Sequence, residues 1–274
     1  MPHVNGQGVD DENGGELDAR CLTKGVGELD RRNPGHLEWC LDDECPFTGS
    51  LDAALEDARE LMAGVDGRHL VASDGRELDS ATVGTAVAQD LYSDSLWPSL
   101  TGVFAGLQQG DADPAFAEAD SYNGREPDGT YPDNGSDIYF AVTCLEGDLG
   151  TDGVSPIEGV DEIADTAPLV GEILAYDDYA VLDAACTQWP VPFVTPPTTF
   201  DAKGAAPIIV IGTSNDPATP YANAVALSKM LESGVLISYE GEGHTIYAQG
   251  VSCVDDAVDD YLIRGKVPQS DPMC

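Results

Sequence analysis

Basic residues are scarce in this sequence: 12 Lys and Arg stand against 50 Asp and Glu, a formal net charge of −38 over 274 residues. A surface of that sign repels phosphate backbones and anionic headgroups, which excludes nucleic acid and anionic membranes as partners. No run of ~18 apolar residues occurs, so no membrane span is expected. The opening Met1-Pro-His-Val-Asn-Gly6 is polar and lacks the apolar centre of an export signal. Cys-x-x-Cys is absent and only His36 lies near a cysteine pair, so no metal site is expected. No internal repeat is present. What the chain does have is a hydrophobic fraction of 42%, enough for a core and too high for a disordered polymer. The acidity itself reads as a solvated surface suited to saline surroundings.

The richest stretch runs from Pro207 to Tyr261, as strand, loop, helix, strand, loop, helix. Pro207-Ile-Ile-Val-Ile-Gly212 is a short apolar run closed by glycine, the pattern of a strand buried on both faces of a parallel sheet. The loop Thr213–Pro220 presents Asp216. A helix follows with Tyr221, Ala224, Val225, Leu227 and Leu231 at helical spacing, stopped at Gly234. Val235–Tyr239 reads as the second strand, Glu240–Thr245 presents His244, and a last helix sets Val254, Ala257, Val258, Tyr261 and Leu262 on one face. Functional loops gather at the C-terminal strand ends of an open α/β sheet, so Asp216 and His244 should meet there. Acid and then histidine near the chain's end is the order of a Ser…Asp…His triad, in which the carboxylate fixes the imidazole tautomer and the other ring nitrogen takes the serine proton. Either residue alone would fit a turn cap or a loop histidine. The two together in this frame fit the triad.

Three segments carry a family resemblance: Gly212-Thr-Ser-Asn-Asp-Pro-Ala-Thr-Pro-Tyr221, Gly241-Glu-Gly-His-Thr245 and Ser252-Cys-Val-Asp-Asp-Ala-Val-Asp-Asp-Tyr-Leu262. Together they resemble the C-terminal domain of tripeptidyl-aminopeptidase-like α/β-hydrolases, the secreted actinobacterial members of the prolyl-aminopeptidase-type serine peptidases. The likeness runs, less tightly, back to about His36 and does not reach the first 35 residues. It implies an α/β fold made of the C-terminal strands and helices of an α/β-hydrolase core with a helical cap. It also implies serine peptidase chemistry on a peptide with a free N-terminus, without a cofactor. Asp216 and His244 would be catalytic. Glu146 or Asp148, trailing the segment Ile138–Cys144, would hold the substrate's amino group.

Seven cysteines are many for a reducing compartment. Cys40 and Cys45 flank a short turn, Cys144 and Cys186 bracket the middle, and Cys253 and Cys274 would pin the tail beside His244. The resemblance supports these pairings and leaves Cys21 over. Paired cysteines imply an extracellular or cell-envelope location, at odds with the missing export signal unless the authentic N-terminus lies further upstream.

In chain order, residues 1–35 read as a poorly ordered acidic segment with one short helix near Gly27–Arg32. Residues 36–136 read as the helical cap. There, 36–40 ends a helix, Ser50 caps Leu51–Ala63, and further helices cover Ser80–Tyr92 and Ser95–Gln108, with a turn or two at Asp113–Asp120. Residues 137–274 read as core, with Ile138–Cys144 as a strand and Ile157–Leu174 as a helix broken by Pro168.

A hydrolase of this fold carries its serine on a Gly-x-Ser-x-Gly elbow, and the sequence contains none. At Gly212-Thr-Ser-Asn-Asp216 aspartate replaces the second glycine and Pro217 follows, so Ser214 is not expected to be the nucleophile. Three expected strands are also too few for the fold. The expectation is a cap plus C-terminal third, with the nucleophile-bearing half elsewhere and little activity alone. A non-catalytic peptide-binding remnant and an esterase of the same architecture are the competing readings.

Overall fold

The computed structural model describes residues 35–42, 45–146, 182–192, 200–268 and 271–274. The acidic segment before Gly35, Cys21, Asp148 and the helix expected at Ile157–Leu174 lie outside them. The described residues form two compact units, one up to residue 192 and one from residue 200.

The first unit is helical. Helix α1 covers residues 35–41. Helix α2 (Leu51–Ala63) starts where the Ser50 hydroxyl accepts the Ala53 N–H, and it buries Ala54, Ala58 and Met62, a stripe at intervals of four. Helix α3 (Ser80–Leu91) is capped by Asp79, which accepts the Thr82 N–H at 2.8 Å. A 3₁₀ turn (Asp94–Leu96) leads into α4 (Trp97–Gln109), with Pro98 in its first turn, where a missing N–H costs nothing. Helix α5 (Asp113–Asn123) ends at Gly124, in the left-handed region. Leu37, Phe47, Met62, Val83, Val87, Leu100, Phe104 and Leu107 belong to one continuous core. Between α2 and α3 the chain doubles back at an isolated bridge, Val71 to Glu77. From it Arg76 reaches α5, giving both carboxylate oxygens of Asp120 an N–H at 2.7 Å and lying 4.0 Å over the Phe116 ring. This ion pair holds the Asp120 carboxyl below the usual carboxylate range.

Where a strand was expected at Ile138–Cys144, the structure has helix α6 (Gly135–Glu146). Two signals decide it. Asp133 accepts the Gly135 N–H and Ile138 donates to the Asn134 carbonyl, the start of a helical turn. Cys144 is buried and Phe140, Ala141 and Leu145 half-buried, whereas Ile138, Tyr139 and Val142 are exposed. That pattern follows helical spacing, not alternation. The short apolar run alone could not separate the two. Helix α7 (Leu182–Thr187) is tied to α6 by the Cys144–Cys186 disulfide.

The second unit is a strand–helix–strand–helix unit: β1 (Ile208–Asn215), α8 (Tyr221–Met230), β2 (Gly234–Glu242) and α9 (Ser252–Arg264). The strands are parallel, Ile208 opposite Gly234 through Thr213 opposite Tyr239. Among the described residues the sheet has these two strands and not three. Ile209, Ile211 and Ile237 pack towards Val254 and Val258 of α9. Gly212, on the alternate face, lies against α8: a Cβ there would stand 2.8 Å from Ala224 Cβ and from the Tyr221 ring. Glycine is what lets helix and strand approach so closely. β1, expected to be buried on both faces, is only half-buried over much of its length, and Leu227 and Leu262, which have the expected helical spacing, are exposed.

The C-terminal tail completes the sheet. Met273 forms a parallel bridge with Ser238, Ser238 donates its N–H to Pro272 O at 3.0 Å, and Cys274 donates to Ser238 O at 2.7 Å. The Cys253–Cys274 disulfide anchors this tail to α9. With Cys40–Cys45 and Cys144–Cys186, the three expected pairs are all present. Such pairing belongs to an oxidising compartment. Among the described residues no helix is long and apolar enough to cross a membrane.

Candidate active site

Asp216 and His244 each follow a strand end, and an irregularity in the ladder between them sets their approach. The register shifts between Thr213 and Asn215, so that Asn215 faces Glu242. Ser214 fills the gap, its hydroxyl accepting the Gly241 N–H at 3.1 Å and donating to Gly241 O at 3.3 Å. Its oxygen is therefore occupied in stitching the two strands together. Beyond β2 the chain turns at Gly243 (φ 101°), whose N–H reaches Asn215 O at 3.3 Å. The turn delivers His244, and Ile246 anchors the far side of the loop in the small core with Val254.

His244 Nδ1 lies 3.0 Å from each oxygen of Asp216. The carboxylate is almost wholly buried, and the imidazole side chain is 22% exposed. Pro217 has no N–H to offer, so the first donors to Asp216 come from residues 218 and 219. Oδ1 accepts the Ala218 N–H at 2.9 Å and the Thr219 N–H at 2.7 Å, and Oδ2 accepts the Thr219 hydroxyl at 2.7 Å. Burial pushes the Asp216 carboxyl up. The hydrogen bonds from His244, Thr219 and Ala218 together outweigh burial and hold it below its ordinary value. At neutral pH the pair is thus an ionised carboxylate with an imidazole fixed by Nδ1, an arrangement that turns Nε2 into a base aimed away from the acid.

Of the other expected site residues, Glu146 is the last residue of α6 in the first unit, and Asp148 lies outside the described residues. Thr219 went unread in the sequence. The spacing Asp-Pro-x-Thr, an acid that starts a turn closed by a hydroxyl residue three positions on, is the signal that would have found it.

Two parallel strands that deliver an acid and then a histidine to one edge, with helices on both faces, define part of an α/β-hydrolase fold. Residues 173–274 match the family model described as TAP-like protein. The chain is 35% identical over 205 residues to Carboxylesterase B of Mycobacterium tuberculosis (strain H37Rv), covering 74% of this chain and 38% of that protein. Serine protease Hip1 of the same strain is likewise 35% identical over 205 residues, with 73% and 37% covered. Tripeptidyl aminopeptidase of Streptomyces lividans is 28% identical over 187 residues, with 67% and 33% covered. The match identifies a TAP-like α/β-hydrolase domain in the C-terminal residues 173–274. The chain spans 38% of the length of the first relatives it matches.

Proposed function

We propose that this chain carries the acid and base of a serine peptidase of the tripeptidyl- or prolyl-aminopeptidase type. Asp216 orients His244 and stabilises its imidazolium, and Nε2 takes the proton of a serine outside these 274 residues. The observation that carries this reading is the Nδ1 contact of 3.0 Å to both Asp216 oxygens at the ends of successive parallel strands. The sequence contains no Gly-x-Ser-x-Gly, and the Ser214 hydroxyl is committed to Gly241. By itself the chain therefore turns over neither peptide nor ester. The helical unit serves as a cap over the substrate, and Glu146 or Asp148 holds the substrate's free α-amino group. The three disulfides favour work outside the cell or at its envelope.

Esterase chemistry is the second reading. It is favoured by the relative named a carboxylesterase, which is as similar to the chain as the one named a serine protease. A binding protein that retains the pair without a nucleophile is the third.

The test begins with a fluorophosphonate probe on the purified chain, which should leave every serine unlabelled. Adding a half that bears Gly-x-Ser-x-Gly, joined or as a second chain, should restore labelling and cleavage of an N-terminally free tripeptide-coumarin amide. His244→Ala should remove both, by several orders of magnitude. Faster turnover of an ester than of the amide favours the esterase. Labelling of any serine in the lone chain overturns the proposal.

A further inference from the structure

We propose that Thr219 is the positioning residue of the Asp216–His244 pair, fixing carboxylate and imidazole together through its single hydroxyl. The inference rests on the functional reading above and extends it to a residue outside the triad.

A carboxylate turns about its last bond in a broad, roughly two-fold well. Both backbone donors in the turn, Ala218 N–H and Thr219 N–H, go to the same oxygen, Oδ1. They restrain the carboxylate from its Oδ1 side alone and leave Oδ2 with no donor from the turn's backbone. The Thr219 hydroxyl supplies the second restraint, 2.7 Å from Oδ2. With both oxygens fixed, Nδ1 sits equidistant from them at 3.0 Å. The same hydroxyl oxygen stands 3.3 Å from Nδ1. Its proton is spent on Oδ2, so what it turns to the imidazole is a lone pair, a further acceptor for the Nδ1–H that a triad histidine must carry. One side chain thereby restrains the acid and the base.

The chain as it stands suffices for the test, because the readout is His244 itself. Its titration and the solvent exchange of its Nδ1–H are followed by nitrogen-15 NMR in the wild type and in Thr219→Val, Thr219→Ser and Asp216→Asn. Valine keeps the shape and drops the hydroxyl, and serine keeps the hydroxyl. In Thr219→Val the Nδ1–H should exchange several-fold faster, with Thr219→Ser returning the exchange to wild type. Wild-type exchange in Thr219→Val, or a Thr219→Ser that behaves like Thr219→Val, overturns the role of the hydroxyl while the pair stands. An Asp216→Asn variant whose His244 titrates as in wild type overturns the pair itself, and with it the proposed function.

Discussion

The two units divide their resources in opposite ways. The helical unit encloses a continuous apolar core reaching from Leu37 to Ala119. It also leaves buried polar atoms of three side chains without a geometric hydrogen bond: both oxygens of Asp90, Trp189 Nε1 and His36 Nδ1, although His36 Nε2 meets Thr101 Oγ1 at 3.1 Å. The sheet unit buries few apolar side chains: none in α8, and Val254 and Val258 in α9. Leu227, Leu262, Ile263 and Met273 are exposed. Its buried polar groups are well served by contrast. Asp216 has the donors already described, and Ser238 Oγ meets Tyr221 OH at 2.7 Å and donates to Asp271 at 3.0 Å. Both units carry disulfides; beyond these, order in the first comes from filled volume and order in the second from hydrogen bonds. Packing fixes shapes, but a proton-transfer pair needs fixed directions, and those come from hydrogen bonds.

The comparison breaks most visibly at Phe104, wholly buried in the helical core. Phe104→Ala should cost about 3–5 kcal/mol in urea unfolding followed by near-ultraviolet circular dichroism, and leave the His244 titration unchanged. Movement of that titration would mean that the two units do not order independently.

The reciprocal experiment removes the staple of the sheet unit. Cys253 and Cys274 close a loop with a sequence separation of 21, for which chain entropy gives about 3 kcal/mol. Replacing both by serine should lower stability by about that amount, and amide exchange should report it first at Ser238 and at the backbone N–H of position 274. A loss confined to the helical unit would contradict the division.

The unserved polar groups give the helical unit a pH signature. Burial, and then repulsion from Glu118, push the Asp90 carboxyl up to about 8. Burial pulls the His36 imidazole down to about 4, outweighing a hydrogen bond to the Trp97 backbone. Native Asp90 keeps a proton that the unfolded chain has released, so its contribution falls as pH rises from about 4 to about 8. Native His36 lacks a proton that the unfolded chain binds below about 6.5, so its contribution rises with pH between about 4 and that value. The two slopes cancel up to about 6.5. Beyond it Asp90 acts alone, and stability should drop by about 2 kcal/mol by pH 8. Urea midpoints at the two pH values measure the drop, and Asp90→Asn should abolish it.

The smallest effect concerns helix starts. Asp79 caps α3 through its side chain, whereas α8 and α9 have no side-chain cap. Asp79→Ala should cost about 1 kcal/mol, and alanine at Val251, at the head of α9, should show no comparable capping loss in the same assay.

Legibility in the sequence followed the same divide. Helix α2 is legible with its cap because Ser50 and the apolar face Leu51, Ala54, Leu55, Ala58 and Leu61 or Met62 are local, and of that face Ala54, Ala58 and Met62 are buried. The meeting of Asp216 and His244 could be read because parallel strands deliver successive loops to one edge. Burial in the sheet unit could not. Leu227 and Leu262 have the right spacing, but what covers a face is not written in its period. The segment 138–144 was misread because a short apolar run satisfies strand and helix alike, and the deciding residues, Asp133 and Asn134, lie just before it. The spacing Asp-Pro-x-Thr marks Thr219 as a turn residue, but that its one hydroxyl meets both Asp216 and His244 is not written in spacing.

The tail that lies along Ser238 works as a hem. Residues 272–274 close an edge of β2 with backbone hydrogen bonds and lock the closure with a covalent knot at Cys253. Unpicking them exposes two adhesive features at once: a bare strand edge that invites pairing with another chain, and a thiol on α9 able to form a bridge between molecules. A chain shortened by these three residues should therefore self-associate in two separable ways. One form should dissolve on reduction and the other should persist, and restoring Cys274 by itself, without the strand it ends, should not mend both.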